Sequence, residues 1–380
     1  MDEQYTSVFT EEERAARRRA RQEARKAKLR ARRRRQLQIF LPCALVAVLA
    51  VSLLLGSKAG HTPEEEEVAG IDLAAEESFS AEPPVAEEPQ IPSGYTATDG
   101  TVQLGEELPS VYVVLIDLDS HEILAEKGAD TVIYPASMTK ILTVLVAAEA
   151  IEEADLDDTF TMTREITDYC YVNGCSVVGL MVDETVTVRE LFYGTILPSG
   201  ADAAVGLATY VAGSHKAFVE MMNDKLEELG LSDTAHFTNC VGLFDEAHAC
   251  TVSDMAAILE AAMGNDLCRE VLGAHTYETA PTTDHPEGQV LSNWFLRRIE
   301  DKDTGGLTVM GAKTGYVVQS GNCAASWAQA PDGHQYLCVT ADAYSSWRAI
   351  YDHAELYKTY CAESAETDAA EAASQNGTPL

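Results

Sequence analysis

A helical apolar pattern follows Pro135. Apolar side chains stand at positions 141, 142, 144, 145 and 148, which is the spacing of a buried helix face rather than of a strand. Because proline cannot continue a preceding element, the pattern predicts a helix whose first turn contains Ser137. Lys140 follows three residues later on the same face, so its amine can reach the Ser137 hydroxyl. The sequence therefore predicts a serine and a lysine in contact at the start of a buried helix.

Strand-like and helical patterns alternate between residues 110 and 361. β-Rich stretches predict one hairpin over residues 111–117 and 123–125 and another over 323–327 and 336–341. The middle is mainly helical, with helices predicted over 188–197, 202–211, 215–229 and 251–263, and a last helix over 346–360. Thr187 and Glu190 have capping-box spacing. We therefore expect an α+β domain over 110–361, with an antiparallel sheet flanked by helices and an inserted all-helical subdomain.

Segments of different composition surround that domain. Residues 1–36 are a basic head with a net charge of +7, and residues 37–57 lie in a stretch without a single charge. As a helix those apolar residues span about 30 Å, enough to cross a bilayer core. The arginines before them predict a single-pass anchor in the cell membrane, with a cytoplasmic N-terminus and an extracytoplasmic domain. A cleaved signal peptide is the alternative. Residues 58–109 are predicted to be an acidic Pro/Glu-rich linker, and 362–380 a disordered acidic tail.

Charge and cysteine content narrow the function. The chain carries a net charge of −34, and because the head is basic, residues 37–380 carry −41. So acidic a body repels phosphate, which argues against a nucleic-acid partner. Eight cysteines follow the predicted anchor, where disulfides are permitted; spacing allows the pairs Cys170/Cys175, Cys240/Cys250 and Cys323/Cys338 but does not determine them. No second ligand pair accompanies Cys170 and Cys175, so we expect no metal site.

Three short motifs occur in order along the predicted domain. Ser137-x-x-Lys140 lies on a predicted helix, Ser199-Gly200-Ala201 in a turn between helices, and Lys313-Thr314-Gly315 on a predicted strand. Ser137 is the candidate nucleophile and Lys140 the base that accepts its proton. Ser199 can pass a proton to a leaving amine. One such motif is weak evidence, but the ordered trio favours nucleophilic serine catalysis.

The third motif supplies binding groups. Lys313 and Thr314 offer a positive charge and a hydroxyl to a substrate carboxylate. Gly315 lets the strand backbone come close to the substrate, since it has no side chain. The N–H groups of Ser137 and Tyr316 are candidates for stabilising an oxyanion.

At this point the chain resembles the low-molecular-mass penicillin-binding proteins that are serine D-alanyl-D-alanine carboxypeptidases. The resemblance runs from about 110 to 360. It includes Tyr134-Pro135-Ala136 before the nucleophile, the stretch 191–204 around Ser199, Phe237-Thr238-Asn239 with Gly242-Leu243, and Ser346-Trp347-Arg348.

The resemblance implies a β-lactamase/transpeptidase-like fold and removal of the terminal D-alanine from peptidoglycan stem peptides. Ser137 would form the acyl-enzyme, no cofactor would be needed, and β-lactam antibiotics would inhibit covalently. Arg348 is expected to help hold the terminal carboxylate of the substrate.

One departure keeps other functions open. The second motif of the family ends in asparagine, and here that position is Ala201. A non-hydrolytic or slowly acylating peptidoglycan- or penicillin-binding protein is therefore an alternative. D,D-Endopeptidase cleavage uses the same residues. A class A-like β-lactamase would need a glutamate that activates water, and Glu220, Glu227, Glu228 and Glu246 lie in the relevant interval without the expected loop pattern.

Overall fold

The computed structural model describes residues 94–361. The predicted head at 1–36, anchor at 37–57 and tail at 362–380, and most of the linker predicted at 58–109, lie outside the described residues. Within residues 94–361, no helix combines the length and apolarity needed to cross a bilayer.

The described residues form ten strands, of which six make the central sheet. In chain order, the ten strands are β1 (Thr96–Gln103), β2 (Tyr112–Asp117), β3 (Glu122–Lys127), β4 (Thr159–Thr161), β5 (Thr185–Thr187), β6 (Thr276–Glu278), β7 (Val290–Ser292), β8 (Thr308–Val317), β9 (Gly321–Gln329) and β10 (Gln335–Ala343). The order in the central sheet is β1-β3-β2-β10-β9-β8. Both predicted hairpins, β2–β3 and β9–β10, are confirmed. Each end of the domain thus contributes three strands to one sheet.

The helices lie between β3 and β8, apart from the last, which follows β10. They are α1 (Lys140–Glu149), α2 (Arg164–Asn173), α3 (Val188–Ile196), α4 (Ala201–Ala212), α5 (His215–Glu228), α6 (Val252–Met263), α7 (Asp266–Gly273), α8 (Leu296–Ile299) and α9 (Ser346–Leu356). The predicted capping box at α3 is confirmed, because the Thr187 hydroxyl accepts from the Glu190 N–H at 3.2 Å and the Glu190 carboxylate accepts from the Thr187 N–H at 2.8 Å. The α+β class is confirmed as well.

Three details of the predicted fold are wrong. β1 lies within the predicted linker, so the folded domain begins well before residue 110. Because β1 pairs in parallel with β3, the sheet is mixed rather than antiparallel throughout. The insert is not all-helical, since it also contains the two-stranded sheets β4–β5 and β6–β7. β1 was missed because nearly all its side chains are exposed, and it pairs without an apolar run to reveal it.

Helix α1 is the centre of the core and fixes the position of the site. All its side chains from Lys140 to Ala147 are buried, and it packs against α3, α4, α5, α6 and α7. A helix surrounded in this way cannot shift without disturbing most of the core. Its N-terminal end therefore offers a rigid platform on which reactive groups can be held.

Candidate active site

The candidate nucleophile lies in a strained turn just before α1. Residues Ala136–Thr139 form a single 3-10 turn, and the α-helix begins at Lys140. Ala136 has a φ of 49°, a left-handed conformation that alanine rarely adopts. Such strain persists only where neighbouring contacts impose it. Here the Thr139 hydroxyl donates to the Ala136 carbonyl oxygen at 2.8 Å and closes the turn.

The Ser137 hydroxyl and the Lys140 amine are in direct contact. Lys140 Nζ lies 3.0 Å from Ser137 Oγ and donates to the Val241 carbonyl oxygen at 2.6 Å. Burial lowers the pKa of Lys140 to about 8, although the nearby thiols and Asp202 act in the opposite direction. A neutral lysine is thus accessible near neutral pH, and it can accept the proton of the serine that it touches.

A glycine loop positions the carbonyl that Lys140 binds. Asn239 Oδ1 accepts from the N–H groups of Val241, Gly242 and Leu243 at 3.2, 2.8 and 3.0 Å, which shapes the loop around Val241. Gly242 has a φ of 81°, and a Cβ atom there would lie 1.8 Å from the Ala136 carbonyl oxygen. The loop and the nucleophile turn therefore meet backbone against backbone, and only glycine fits between them.

Ser199 and Lys313 form a second serine–lysine pair that faces the same site. Lys313 Nζ donates to Ser199 Oγ at 2.9 Å and to the Thr314 carbonyl oxygen at 2.8 Å. Ser199 has a φ of 62°, so this residue is also held in a strained turn, between α3 and α4. Burial and the charge of Lys140 lower the pKa of Lys313 well below its usual value. Both pairs thus combine a hydroxyl with a buried lysine whose pKa is lowered.

β8 brings the third motif against the nucleophile turn. It is the last strand of the sheet, and its outer edge packs on the turn. A Cβ atom at Gly315 would lie 2.9 Å from both the Pro135 carbonyl oxygen and the Ser137 nitrogen. The sequence predicted that Gly315 lets the strand backbone come close to the substrate. In the structure, the lack of a side chain at Gly315 lets β8 pack closely against the backbone of Ser137.

Two adjoining cavities meet at Ser137. The first, which we call the Lys313 cavity, has a volume of about 270 Å³ and includes Ser199, Lys313 and Thr314 among its lining residues. The second, the Lys140 cavity, has a volume of about 440 Å³ and includes Lys140, Ala201 and Val241 in its wall. Ser137 and Tyr316, whose N–H groups were assigned to an oxyanion, line both cavities. An extended peptide can therefore cross Ser137 with one part in each cavity.

Comparison with known proteins identifies the family. The sequence profile of the D-alanyl-D-alanine carboxypeptidases, peptidase family S11, matches residues 100–344. The chain belongs to the D-alanyl-D-alanine carboxypeptidase family. The resemblance described from the three motifs is thereby confirmed.

Individual members of the D-alanyl-D-alanine carboxypeptidase family match at moderate identity. The carboxypeptidase DacF of Bacillus subtilis is 31% identical over 236 residues, which cover 61% of this chain and 57% of the relative. The carboxypeptidase of Streptomyces sp. strain K15 is 34% identical over 203 residues, covering 50% of this chain and 67% of the relative. The chain thus spans between about half and two thirds of these relatives.

Solved structures show the same fold. The crystal structure of the Streptomyces K15 DD-transpeptidase aligns with a TM-score of 0.58 at 27% identity, covering 66% of this chain and 97% of that one. The predicted penicillin-binding fold is therefore confirmed.

Ala201, the departure from the family motif, lies at the start of α4 and lines the Lys140 cavity. The next residue, Asp202, has a structural task. Its carboxylate accepts from the N–H groups of Val178, Gly179 and Leu180 at 2.8, 2.9 and 3.1 Å. These bonds hold the 178–180 segment beside the site, so the turn remains anchored although the asparagine of the family is absent.

Arg348 is not among the groups that line either cavity. Its Nε donates to Asp352 Oδ1 at 2.6 Å, one turn further along α9. The buried Asp352 also accepts from the N–H and the hydroxyl of Ser110, at 3.0 and 2.6 Å. Asp352 therefore links Arg348 to Ser110, which lies two residues before β2. The other predicted site residues do come together: Ser137, Lys140, Ser199, Lys313, Thr314, Gly315 and Tyr316.

His248 supports the nucleophile turn from below, a task that its sequence context did not indicate. Its Nδ1 accepts from the Thr238 N–H at 3.0 Å, so Nε2 carries the proton and donates to Thr139 Oγ1 at 2.7 Å. Burial lowers the pKa of His248 to about 3, which keeps the ring neutral. No local sequence pattern indicates this contact, because Thr139 lies 109 residues away.

All eight described cysteines are free thiols, so none of the three pairs that spacing allowed forms a disulfide here. Cys175 is half-buried and lines the Lys140 cavity together with Ser176, and the sequence indicated neither residue as part of the active site. No group of three or more His, Cys, Asp or Glu side chains in residues 94–361 is arranged to hold a metal ion.

Proposed function

We propose that this protein is a serine-type D-alanyl-D-alanine carboxypeptidase that removes the terminal D-alanine from peptidoglycan stem peptides. The contact of 3.0 Å between Ser137 Oγ and Lys140 Nζ carries the proposal, because it joins a nucleophile to a buried base of lowered pKa. Family membership and the names of the curated relatives support the choice of substrate.

Acylation begins when neutral Lys140 takes the proton of Ser137 as its oxygen attacks the penultimate D-alanine carbonyl carbon. The acyl part of the peptide lies in the Lys140 cavity and the leaving amino acid in the Lys313 cavity. The carbonyl oxygen becomes negative, and N–H groups from the nucleophile turn and from β8 stabilise it. Lys313 and Thr314 bind the carboxylate of the leaving D-alanine.

Collapse of the tetrahedral intermediate breaks the carbon–nitrogen bond. Ser199, which accepts a hydrogen bond from Lys313, passes a proton to the departing amine and recovers one from Lys313. Water then attacks the ester on Ser137 while neutral Lys313 accepts a proton from that water through Ser199, and protonated Lys140 returns its proton to the Ser137 oxygen. The residues of the chain are sufficient for every proton transfer in the cycle.

The β-lactamase alternative finds no support in the wall of the site. Neither cavity has a carboxylate among its lining residues in the described part of the chain. The four candidate glutamates, Glu220, Glu227, Glu228 and Glu246, are exposed. A deacylation route through glutamate-activated water therefore lacks its base, which favours a long-lived penicilloyl-enzyme and inhibition by β-lactams.

We also propose that residues 37–57 anchor the protein as a single membrane-spanning helix, with the N-terminus cytoplasmic. The uncharged stretch and the four preceding arginines support this orientation. Such an anchor would keep the catalytic domain on the side where peptidoglycan lies.

The direct test is release of D-alanine from a stem peptide ending in D-Ala-D-Ala by the full-length chain. Ser137→Ala is the control, and we expect it to abolish both release and covalent labelling by a fluorescent penicillin. Wild-type labelling without release would identify the slowly acylating binder instead. Labelling that persists in Ser137→Ala would contradict the assignment of the nucleophile.

A further inference from the structure

Two thiols are in contact at the C-terminal end of α2, beside the Lys140 cavity. The Cys170 thiol donates a hydrogen bond to the Cys175 sulfur, and neither cysteine is in a disulfide. We call these two residues the thiol pair. Cys170 is 3% exposed, whereas Cys175 is half-buried and is among the lining residues of the Lys140 cavity. The pair therefore has one thiol inside the protein and one beside the proposed active site.

The end of α2 brings the two thiols together. Gly174 follows the helix with a φ of 62°, and the Cys175 N–H donates to the Cys170 carbonyl oxygen at 3.0 Å. This type of helix end places the side chains of the two bonded residues next to each other. Cysteines joined by a disulfide have Cα atoms about 5.5–6 Å apart, a separation that a direct backbone hydrogen bond between two residues permits. The thiol pair can thus be oxidised with little rearrangement of the helix end.

The segment that follows the thiol pair is fixed to the active site. The Ser176 carbonyl oxygen accepts from the Ala201 N–H at 2.8 Å, and Ser176 lines both cavities. The Asp202 carboxylate holds residues 178–180 through three backbone N–H groups. Cys175 is therefore restrained from both sides, by the helix end and by the second motif. A disulfide to the buried Cys170 would leave this segment in place and the Lys140 cavity open.

The two thiols differ in reactivity. The hydrogen bond from Cys170 lowers the pKa of Cys175, and the charge of Lys140 acts in the same direction, while burial opposes both. That bond and burial raise the pKa of Cys170. Since the thiolate is the attacking form in thiol–disulfide exchange, Cys175 reacts first. Once the Cys175 sulfur is in a disulfide it is no longer a thiolate that accepts this bond, so the largest cause of the raised pKa of Cys170 disappears.

We propose that Cys175 is a modification site for the disulfides of low-molecular-mass thiols, and that Cys170 removes the adduct. The Cys175 thiolate attacks one sulfur of the small disulfide, a new sulfur–sulfur bond forms, and one small thiolate leaves. The Cys170 thiol then attacks the Cys175 sulfur, and the second small thiol leaves with the Cys170 proton. The thiol pair loses two electrons and becomes a disulfide, and the small disulfide is reduced to two thiols.

The adduct and the internal disulfide have opposite effects on acylation. The Lys140 cavity has a volume of about 440 Å³, within the range of small-molecule sites, and the proposed mechanism places the acyl part of the substrate there. A group tethered to Cys175 competes for that space at high effective concentration, so it blocks acylation of Ser137. Formation of the internal disulfide expels the group and restores access. The inference rests on the proposed function and adds a means by which its site is blocked and cleared.

The test treats the full-length chain with glutathione disulfide. Peptide mapping by mass spectrometry locates the products, and the rate of Ser137 labelling by a fluorescent penicillin is compared with that of the same variant before treatment. Wild type should end with a Cys170–Cys175 disulfide and an unchanged labelling rate. Cys170→Ser should keep glutathione on Cys175, and its labelling rate should fall about tenfold or more because the tethered peptide occupies the cavity. Dithiothreitol should restore that rate.

Cys268→Ser is the matched control, because it removes another buried thiol that lines neither cavity and should respond to treatment as wild type does. Cys175→Ser should show no loss of its own labelling rate on treatment. A stable glutathione adduct on Cys175 of wild type would overturn the role of Cys170. Absence of any product at Cys175, or an adduct in Cys170→Ser without loss of labelling, would overturn the modification site.

The untreated protein separates this inference from the proposed function. Mapping follows the thiol reactions whether or not any peptide is cleaved. Untreated wild type that releases D-alanine, together with any of the contrary results at Cys175, refutes the inference alone. Untreated wild type that neither releases D-alanine nor labels at Ser137 refutes the proposed function, and the regulation of that site with it.

Discussion

Lys140 shows how burial of one residue sets the pH range of a reaction. Its ammonium form is desolvated, so the neutral form becomes accessible at a pH far below the ordinary lysine range. We predict that the rate of acylation by a fluorescent penicillin rises with pH up to about 8 and is constant above it, because the pKa of Lys140 is about 8 and only the neutral amine accepts a proton. Below that pH the rate should fall about tenfold per unit.

The measurement is the second-order labelling rate between pH 6 and 10, with unfolding followed at each pH to exclude loss of structure. A rate that is already constant at pH 6, or that keeps rising to pH 10, would show that Lys140 is not the base. Lys140→Ala should label extremely slowly at every pH.

Ala201 is the second residue whose chemistry is open to a direct test. Ala201 is among the lining residues of the Lys140 cavity, so an amide at this position would border a peptide bound there. We predict that Ala201→Asn raises kcat/KM for D-alanine release several-fold, because the amide adds a hydrogen bond to the substrate. Ala201→Leu, which has a similarly branched side chain without polar atoms, should lower it. A loss of activity in Ala201→Asn as large as that in Ala201→Leu would mean that the cavity is adapted to alanine.

At the scale of elements, the nucleophile turn and the 239–243 loop act as one unit. The Gly242 Cα faces the Ala136 carbonyl so closely that no side chain can be added without moving the turn. We predict that Gly242→Ala lowers the free energy of unfolding by about 3 kcal/mol or more and nearly abolishes penicillin labelling, since it displaces Ser137 as well as straining the backbone.

Gly230→Ala is the control for that variant. Gly230 has a φ of 74°, comparable with Gly242, but an added Cβ would have no neighbour within 4 Å. It should therefore cost only the left-handed strain, about 1–2 kcal/mol, and leave labelling intact. Denaturant unfolding and penicillin labelling measure both effects. Equal losses of stability and of labelling in Gly242→Ala and Gly230→Ala would show that the close contact of Gly242 with the nucleophile turn is not important for either property.

The end of α2 places two thiols together beside the Lys140 cavity. Gly174 has a φ of 62° and the Cys175 N–H donates to the Cys170 carbonyl oxygen at 3.0 Å, a helix-ending motif that brings these two side chains into contact. The hydrogen bond from the Cys170 thiol lowers the pKa of Cys175, and Lys140 acts in the same direction. Burial raises the pKa of the fully buried Cys240 to about 12.

We predict that a maleimide labels Cys175 more than tenfold faster than any other thiol between residues 94 and 361, because it combines exposure with a favoured thiolate. Peptide mapping by mass spectrometry after short labelling gives the rates, and Cys175→Ser is the control. Prior acylation of Ser137 by penicillin should slow the reaction, since the adduct fills the same cavity. Preferential labelling of another described cysteine would contradict this geometry.

Sequence patterns were informative where one element carries the signal. The capping box of α3 and the helical spacing after Pro135 are local, and the structure shows both. The roles of Val241 and His248 depend on contacts with residues about a hundred positions away, which no local pattern contains. For Arg348, whose motif indicated a substrate contact, the structure shows a bond from its Nε to a carboxylate one turn away, and substrate binding by this residue stays a prediction.

At the scale of the whole molecule, the sheet is built from both ends of the domain, so its stability depends on where the folded part begins. The predicted boundary at 110 would remove β1 and also Leu104 and Leu108, which are 8% and 4% exposed in a core cluster with the end of α9. Lys127 Nζ donates to the carbonyl oxygens of Gly105 and Leu108 at 3.0 and 3.1 Å, which fastens this segment across β3. The sequence prediction assigned these few apolar residues to the linker because the segment around them is acidic and rich in proline.

We therefore predict that a protein comprising residues 94–361 is more stable to denaturant than one comprising residues 110–361, by about 3–6 kcal/mol, the burial free energy of two leucine side chains. Removing β1 also exposes the edge of β3, so the shorter protein should aggregate more readily. Because β1 is at one edge of the sheet and the turn that carries Ser137 packs on β8 at the other edge, any folded fraction of the shorter protein should label with penicillin at the normal rate. Double replacement of Leu104 and Leu108 by alanine in the longer protein should reproduce most of the stability loss with β1 still present. If that double variant were as stable as its parent, the contribution of this segment would have to come from strand pairing alone.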